Sequence, residues 1–196
     1  VSIDGNGLGG RLTLADPDSL TGAQRELFDH ITANAVPWAT RTGFAAKLAD
    51  GRLIGPFNPS LLSPQIGTAF LQLQATEEQH TSLDERVRQV VILTIGALWQ
   101  APYELYAHRA VARCAGLSDA VVAALAAGEM PEGLTHTEQT AHRLARALST
   151  AHRVDDDLYR LAEQTLGPPG VFELTVLVGL YHTVCAILNV FAIPAP

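Results

Sequence analysis

The chain has 196 residues, 47% of them apolar and 17% charged, with a formal net charge of −7 at pH 7. That length and balance suit one globular domain with its own core and exclude a disordered chain. With 13 basic against 20 acidic residues, no basic surface for phosphate contacts is expected, so nucleic acid is not an expected partner.

Residues 1–16 are Gly-rich and lack a basic stretch followed by an apolar core, so a secretory leader is not expected. Residues 1–20 read as a loose arm ahead of one helical domain over residues 21–196. Asp18 or Ser19 caps a first helix to about Asn34. Residues 36–59 then hold Pro37, Gly43, Gly51, Gly55, Pro56 and Pro59 and read as a long irregular segment, of a kind that often carries function. Ser63 before Pro64 opens a helix to about Gln79, with Glu77 and His80 at its exposed end.

The next helix covers residues 83–100, and its middle, Val90-Val91-Ile92-Leu93-Thr94-Ile95-Gly96-Ala97-Leu98, is apolar all round and implies burial on every side. A helix from Pro102 to Ala115 follows, with Gly116 as its stop. Ser118 caps a short Ala-rich helix, Thr135 with Glu138 has capping-box spacing, and Asp155 caps a helix ending at Gly167. Pro168-Pro169-Gly170 separates that helix from a final long one. The sum is an all-α bundle of about eight helices with short connections after residue 60.

Residues 171–193 carry Glu173 as their one certain charge and are long enough to span a bilayer. Thr175, Gly179, His182, Thr183 and Asn189 interrupt the run and no basic cluster flanks it, so a buried or subunit-interface helix is expected and no membrane partner. The two cysteines, Cys114 and Cys185, have neither CxxC nor metal-ligand spacing, which places the protein in a reducing cytoplasm.

The leading candidate for chemistry is Glu104 with His108, one helical turn apart on one face and flanked by Trp99, Tyr103, Leu105 and Tyr106. A carboxylate beside an imidazole fixes its tautomer and tunes its basicity. Gln89, on the preceding helix, comes opposite His108 if the two helices fold back near Gln100. His182 is a secondary candidate, more in keeping with a core histidine, and the remaining histidines fall on polar faces or helix ends. No second ExxxH or HxxxH pair completes a metal site, and GxSxG, Walker and GxGxxG signatures are absent.

Taken in order, Gly55-Pro56-Phe57-Asn58-Pro59, Ala97-Leu98-Trp99, the Tyr103-Glu104 to His108 helix with Ala115-Gly116-Leu117, and Val178-Gly179-Leu180-Tyr181-His182 to Ile193-Pro194 resemble the carboxymuconolactone decarboxylase family, which has the alkylhydroperoxidase D-like fold. The resemblance covers roughly residues 50–196. It implies a homotrimer or homohexamer with sites in helical pockets near subunit contacts. Thiol-dependent members carry a CxxC pair where this chain has Ala101 and Glu104, a histidine at the place of His108, and a glutamate at the place of Gln89. A peroxidase cycle is therefore not expected.

The decarboxylases of the family act on a carboxylated lactone in aromatic breakdown without metal or organic cofactor. The resemblance implies a lyase of that type, with His108 donating the proton, Glu104 orienting it, and Tyr103, Tyr106, Gln89, Asn58 and His182 near the substrate. A binding or assembly protein that keeps the scaffold without the chemistry is the alternative.

Overall fold

The computed structural model describes residues 7–196, and along them α1 (Gly22–Thr42), α2 (Phe57–Ser60), α3 (Pro64–His80), α4 (Glu85–Trp99), α5 (Pro102–Cys114), α6 (Asp119–Ala126), α7 (His136–Thr150) and α8 (Asp156–Val190) follow in order. Among the described residues the one β pairing is an antiparallel bridge between Lys47 and Leu53. The all-α class read from the sequence is the class observed.

Every residue from 87 to 96 is buried, so α4 must be covered on all sides. It packs against α5, α6, α7 and α8, which makes it the axis of the molecule. Leu93 and Val90 face α6 through Val121, Val122 and Leu125, while Val91, Ile92 and Ile95 join the larger core shared with α1, α7 and α8. The helix ends are where the sequence marks them: Asp84 accepts from the Arg86 amide, Ser118 from that of Val121 and Asp155 from that of Leu158, and Thr135 with Glu138 forms the capping box. α8 contains the expected break, at Gly167 (φ 70°) immediately before Pro168.

Three readings change. α1 starts at a Thr21–Gln24 capping box, and it continues through Pro37 to Thr42 instead of ending near Asn34. A proline inside a helix removes one hydrogen bond, and the residues after it offset that loss: Ala39 is fully buried and Trp38 packs edge-on against Phe44. Glu77, expected at an exposed helix end, is buried with Arg88. The arm is also held: residues 1–6 lie outside the described residues, but Arg11 donates from its backbone amide to the Phe191 carbonyl (2.7 Å) and from Nη1 to the Val190 carbonyl (2.8 Å). Leu14 is buried beyond it, and the Ala15 amide donates to Asn58 Oδ1 at 2.9 Å.

α8 is long and apolar enough to cross a membrane by length and composition. Its fully buried Leu174, Leu177, Cys185 and Leu188 face α4, α7 and the rest of the core.

The loop between α1 and α2 makes its tightest contact at Gly55, which has a φ of 65° and lies against the Tyr103 ring. A Cβ there would stand 2.2 Å from Tyr103 Cζ, in a backbone region that favours glycine. Gly55→Ala is expected to lower the unfolding free energy by about 2 kcal/mol or more, read from urea denaturation.

Candidate functional site

α4 and α5 form a tight hairpin. Gln100 takes a left-handed conformation (φ 49°), Pro102 starts α5, and Gly96 lets α5 approach so closely that a Cβ on it would be 3.3 Å from Glu104 Cγ. This approach buries Glu104 and His108, which are only 2% and 5% exposed. Surface decoration, the bland reading of an i,i+4 pair, is thereby removed.

The hairpin also brings Gln89 across from His108, with Gln89 Oε1 2.8 Å from Nδ1. Gln89 donates through Nε2 to Glu85 Oε1 (2.8 Å), so its Oε1 is the acceptor and Nδ1 of His108 carries the hydrogen. Nε2 of the neutral ring is then a bare acceptor. It faces Glu104 Oε1 at 3.3 Å, an approach too poorly aligned for a good hydrogen bond, and Oε1 has no other partner. Burial pushes the Glu104 carboxyl up to about 8. Burial, helped by the Arg88 charge, pushes His108 down to about 3. Both directions give a pair that carries one proton and no net charge at neutral pH, with the proton on Glu104.

This pair lies at the inner end of a cavity of about 530 Å³, within the range of small-molecule sites. Trp38, Phe44, Phe57, Phe70, Leu180 and Val184 supply much of its apolar wall. The His108 ring stands edge-on to Tyr181, centroids 5.1 Å apart, with Trp38 on another side at 6.4 Å. Burial raises the Tyr181 phenol well above its ordinary range. Beside the pair, Arg88 donates from Nη2 to Glu77 Oε2 (2.6 Å), from Nε to Glu77 Oε1 (3.4 Å) and from Nη1 to Glu85 Oε2 (2.8 Å). That clamp ties α3 to α4 and steadies the Glu85 carboxylate that orients Gln89.

Of the residues expected near a substrate, Tyr103 and Gln89 line the cavity and Tyr106, Asn58 and His182 do not. The Tyr103 hydroxyl donates to the Ala45 carbonyl (2.6 Å) and the Tyr106 hydroxyl accepts from the Ala45 amide (3.0 Å), so the two tyrosines brace one residue of the α1–α2 loop on both of its peptide groups. Asn58 is occupied by Ala15 and by the Thr13 carbonyl. His182 accepts from Trp99 Nε1 and reaches Ser149 Oγ at 2.8 Å, a structural bridge between helices. Its neighbour Tyr181 is the residue that faces the cavity, a displacement of one position on α8 and therefore of about 100°. His142, expected on a polar face, is buried, and burial lowers its pKa.

Sequence reasoning passed over Arg88, Glu77 and Trp38. Arg88 closes the charged entry to α4, directly before Gln89 and the apolar run, and a charge that close to a buried run needs a partner. No comparable signal marks Trp38. Among the described residues no three metal-ligating side chains cluster.

The architecture and cavity define a helical protein of the AhpD-like fold. One solved structure with this fold, the alkylhydroperoxidase AhpD core of a peroxidase-related protein from Ralstonia eutropha, aligns over 95% of this chain and 92% of its own with a TM-score of 0.72 and 12% identity. The debrominase Bmp8 in complex with 2,3,4-tribromopyrrole aligns over 94% of this chain and 92% of its own (TM-score 0.69, 14% identity). A protein of unknown function from Agrobacterium tumefaciens, related in its description to the antioxidant defence protein AhpD, aligns over 71% of this chain and 96% of its own (TM-score 0.65, 18% identity). The sequence matches no family model, and no curated protein matches it. These likenesses establish the fold, and some of the proteins that share it are enzymes.

The shared proton sets a stability profile. In the unfolded chain Glu104 titrates near 4.5 and His108 near 6.5. Between these values both states hold one proton on the pair, and its contribution is flat. From pH 6.5 to about 8 the unfolded chain holds none while the folded pair keeps one, so stability falls as pH rises, by about 1.4 kcal/mol per pH unit. Below 4.5 the unfolded chain binds two and the folded pair one until about 3, so stability falls again as pH falls. Denaturation of the wild type and Glu104→Gln across pH should show the alkaline slope of this pair disappear in the variant.

Proposed function

We propose that the cavity is the active site of a cofactor-independent enzyme in which Glu104 and His108 move protons at a carbon next to a carbonyl group. The observation that carries this reading is the buried Glu104–His108 pair lining the cavity, with His108 Nδ1 committed to Gln89 and Nε2 turned to Glu104. Glu104 donates its proton to the carbonyl oxygen, and His108 Nε2 takes one from the adjacent carbon. The electron pair of the broken C–H bond then forms the C=C bond of an enol. The roles are exchanged relative to the sequence expectation, because the transferable proton resides on Glu104 and Nε2 of His108 is bare. A carboxyl raised to about 8 is a weak enough acid to hold its proton at neutral pH and still acidic enough to give it up in the transition state.

Decarboxylation of a carboxylated lactone is the finer form of the same chemistry. There His108 Nε2 takes the carboxylic-acid proton, the C–CO2 bond breaks, and its electron pair delocalises to the lactone oxygen as Glu104 protonates it; His108 then returns its proton to the carbon while the enol O–H proton goes back to Glu104. Its support is the sequence resemblance. The fold is shared with a debrominase bound to a small haloaromatic, which supports a small cyclic molecule as the kind of occupant. Thiol peroxidase chemistry lacks its nucleophiles: Ala101 and Glu104 occupy the paired positions, Cys114 is exposed, and burial raises the Cys185 thiol. The alternative, a binding member without chemistry, takes its support from the same cavity.

The proposal includes self-association as a trimer or hexamer in the cytoplasm. Its support is exposed apolar surface at Leu62 and Ile66 on the cavity rim and at Phe172 and Val190 on α8.

Two assays test the function. Incubation with α-tetralone in D2O, followed by NMR, should show enzyme-dependent deuterium exchange next to the carbonyl, and CO2 release from carboxymuconolactone reads the finer form. Glu104→Gln and His108→Ala should each lower the rate by about 10² to 10⁴. Rates equal to the wild type in both variants would overturn the assignment.

A further inference from the structure

The charges that line the cavity are not arranged to receive an anionic ligand. Its one arginine, Arg88, has each guanidinium nitrogen on a carboxylate oxygen, two from Glu77 and one from Glu85. Two carboxylates share one cation, so this cluster is already one negative charge in excess. Glu78 adds another acid at the mouth, and no lysine lines the walls. A carboxylate entering the cavity would have to displace Glu77 or Glu85 from Arg88, or remain unpaired beside them.

The inner end offers a carboxylate no cation either. Gln89 holds His108 in the neutral Nδ1–H form, and the carboxyl opposite Nε2 lies in surroundings that resist ionisation. What is available there is one O–H donor and one bare nitrogen acceptor, both buried and neither satisfied by a well-aligned protein partner. The wall around them is aromatic and aliphatic.

We infer that this cavity selects an uncharged, mainly apolar cyclic molecule bearing one carbonyl or hydroxyl head group, and discriminates against carboxylates of the same shape. The inference rests on the reading that the cavity is the ligand site. It narrows that reading, because it sets a carboxylated lactone among the disfavoured ligands. The head group takes the Glu104 proton, and the ring fills the space between Trp38, Phe57 and Leu180.

A matched pair tests it: α-tetralone and the carboxylate with the same tetralin frame, titrated by calorimetry at pH 7. The Trp38 indole N–H resonance reports where binding occurs. With only two tryptophans in the chain, Trp38→Phe assigns that resonance. The ketone should bind and shift the Trp38 signal, with the carboxylate at least about tenfold weaker, a cost expected for burying an unpaired charge. Glu85→Gln, at a half-exposed position, releases Arg88 Nη1 and should move the ketone-to-carboxylate ratio several-fold toward the carboxylate.

Carboxylate binding within tenfold of the ketone overturns the inference, as does an unchanged ratio in Glu85→Gln. Failure of both compounds to bind overturns it together with the active-site assignment. Selective ketone binding without deuterium exchange leaves the inference standing and removes the proposed catalysis.

Discussion

A carboxyl group buried against an imidazole has two ways to hold one proton, as an ion pair or as two neutral groups, and the surroundings choose. Here the cost of charge in a dry interior, together with Arg88 beside the ring, favours the neutral arrangement. The Gln89 amide adds a geometric constraint, because its oxygen accepts only from an Nδ1–H and leaves Nε2 open. Much of the surrounding structure serves that arrangement. The left-handed Gln100, the approach at Gly96 and the Glu85–Gln89 contact all keep two helices close enough for three side chains to meet.

The ion cluster next to it works by a different balance. Arg88 and Glu77 are both buried, and a pair of that kind gains back its desolvation only when the geometry is good. Bidentate contact with Glu77 and a third contact with Glu85 provide it, and they join the end of α3 to the start of α4. The cluster fixes the cavity wall while leaving its charge unavailable to a ligand. Fold stability and ligand selectivity therefore draw on the same three side chains.

The helices were legible because their ends carry strong local signals. Ser118, Thr135 and Asp155 each cap as their spacing implies, and the all-apolar run in α4 could only be a central element. The Glu104–His108–Gln89 constellation was legible for the same reason, since helical period and a short turn determine who faces whom. Pro37 misled because a local penalty was weighed without the tertiary burial that outweighs it. His182 misled because rotation about α8 is set by contacts with Trp99 and Ser149, and these lie 83 and 33 residues away in sequence. Asn58 and Tyr106 were chosen for their polarity, but their partners are backbone groups of neighbouring loops, which no spacing rule exposes.

The clasp between the start and the end of the chain has a mechanical meaning. Arg11 grips the carbonyls of Val190 and Phe191, and Phe191 is part of the cavity wall. A segment ahead of α1 thus latches a wall built at the end of α8, through a contact that spans 179 residues of sequence. Loosening either partner transmits to the chamber without any change at Glu104 or His108.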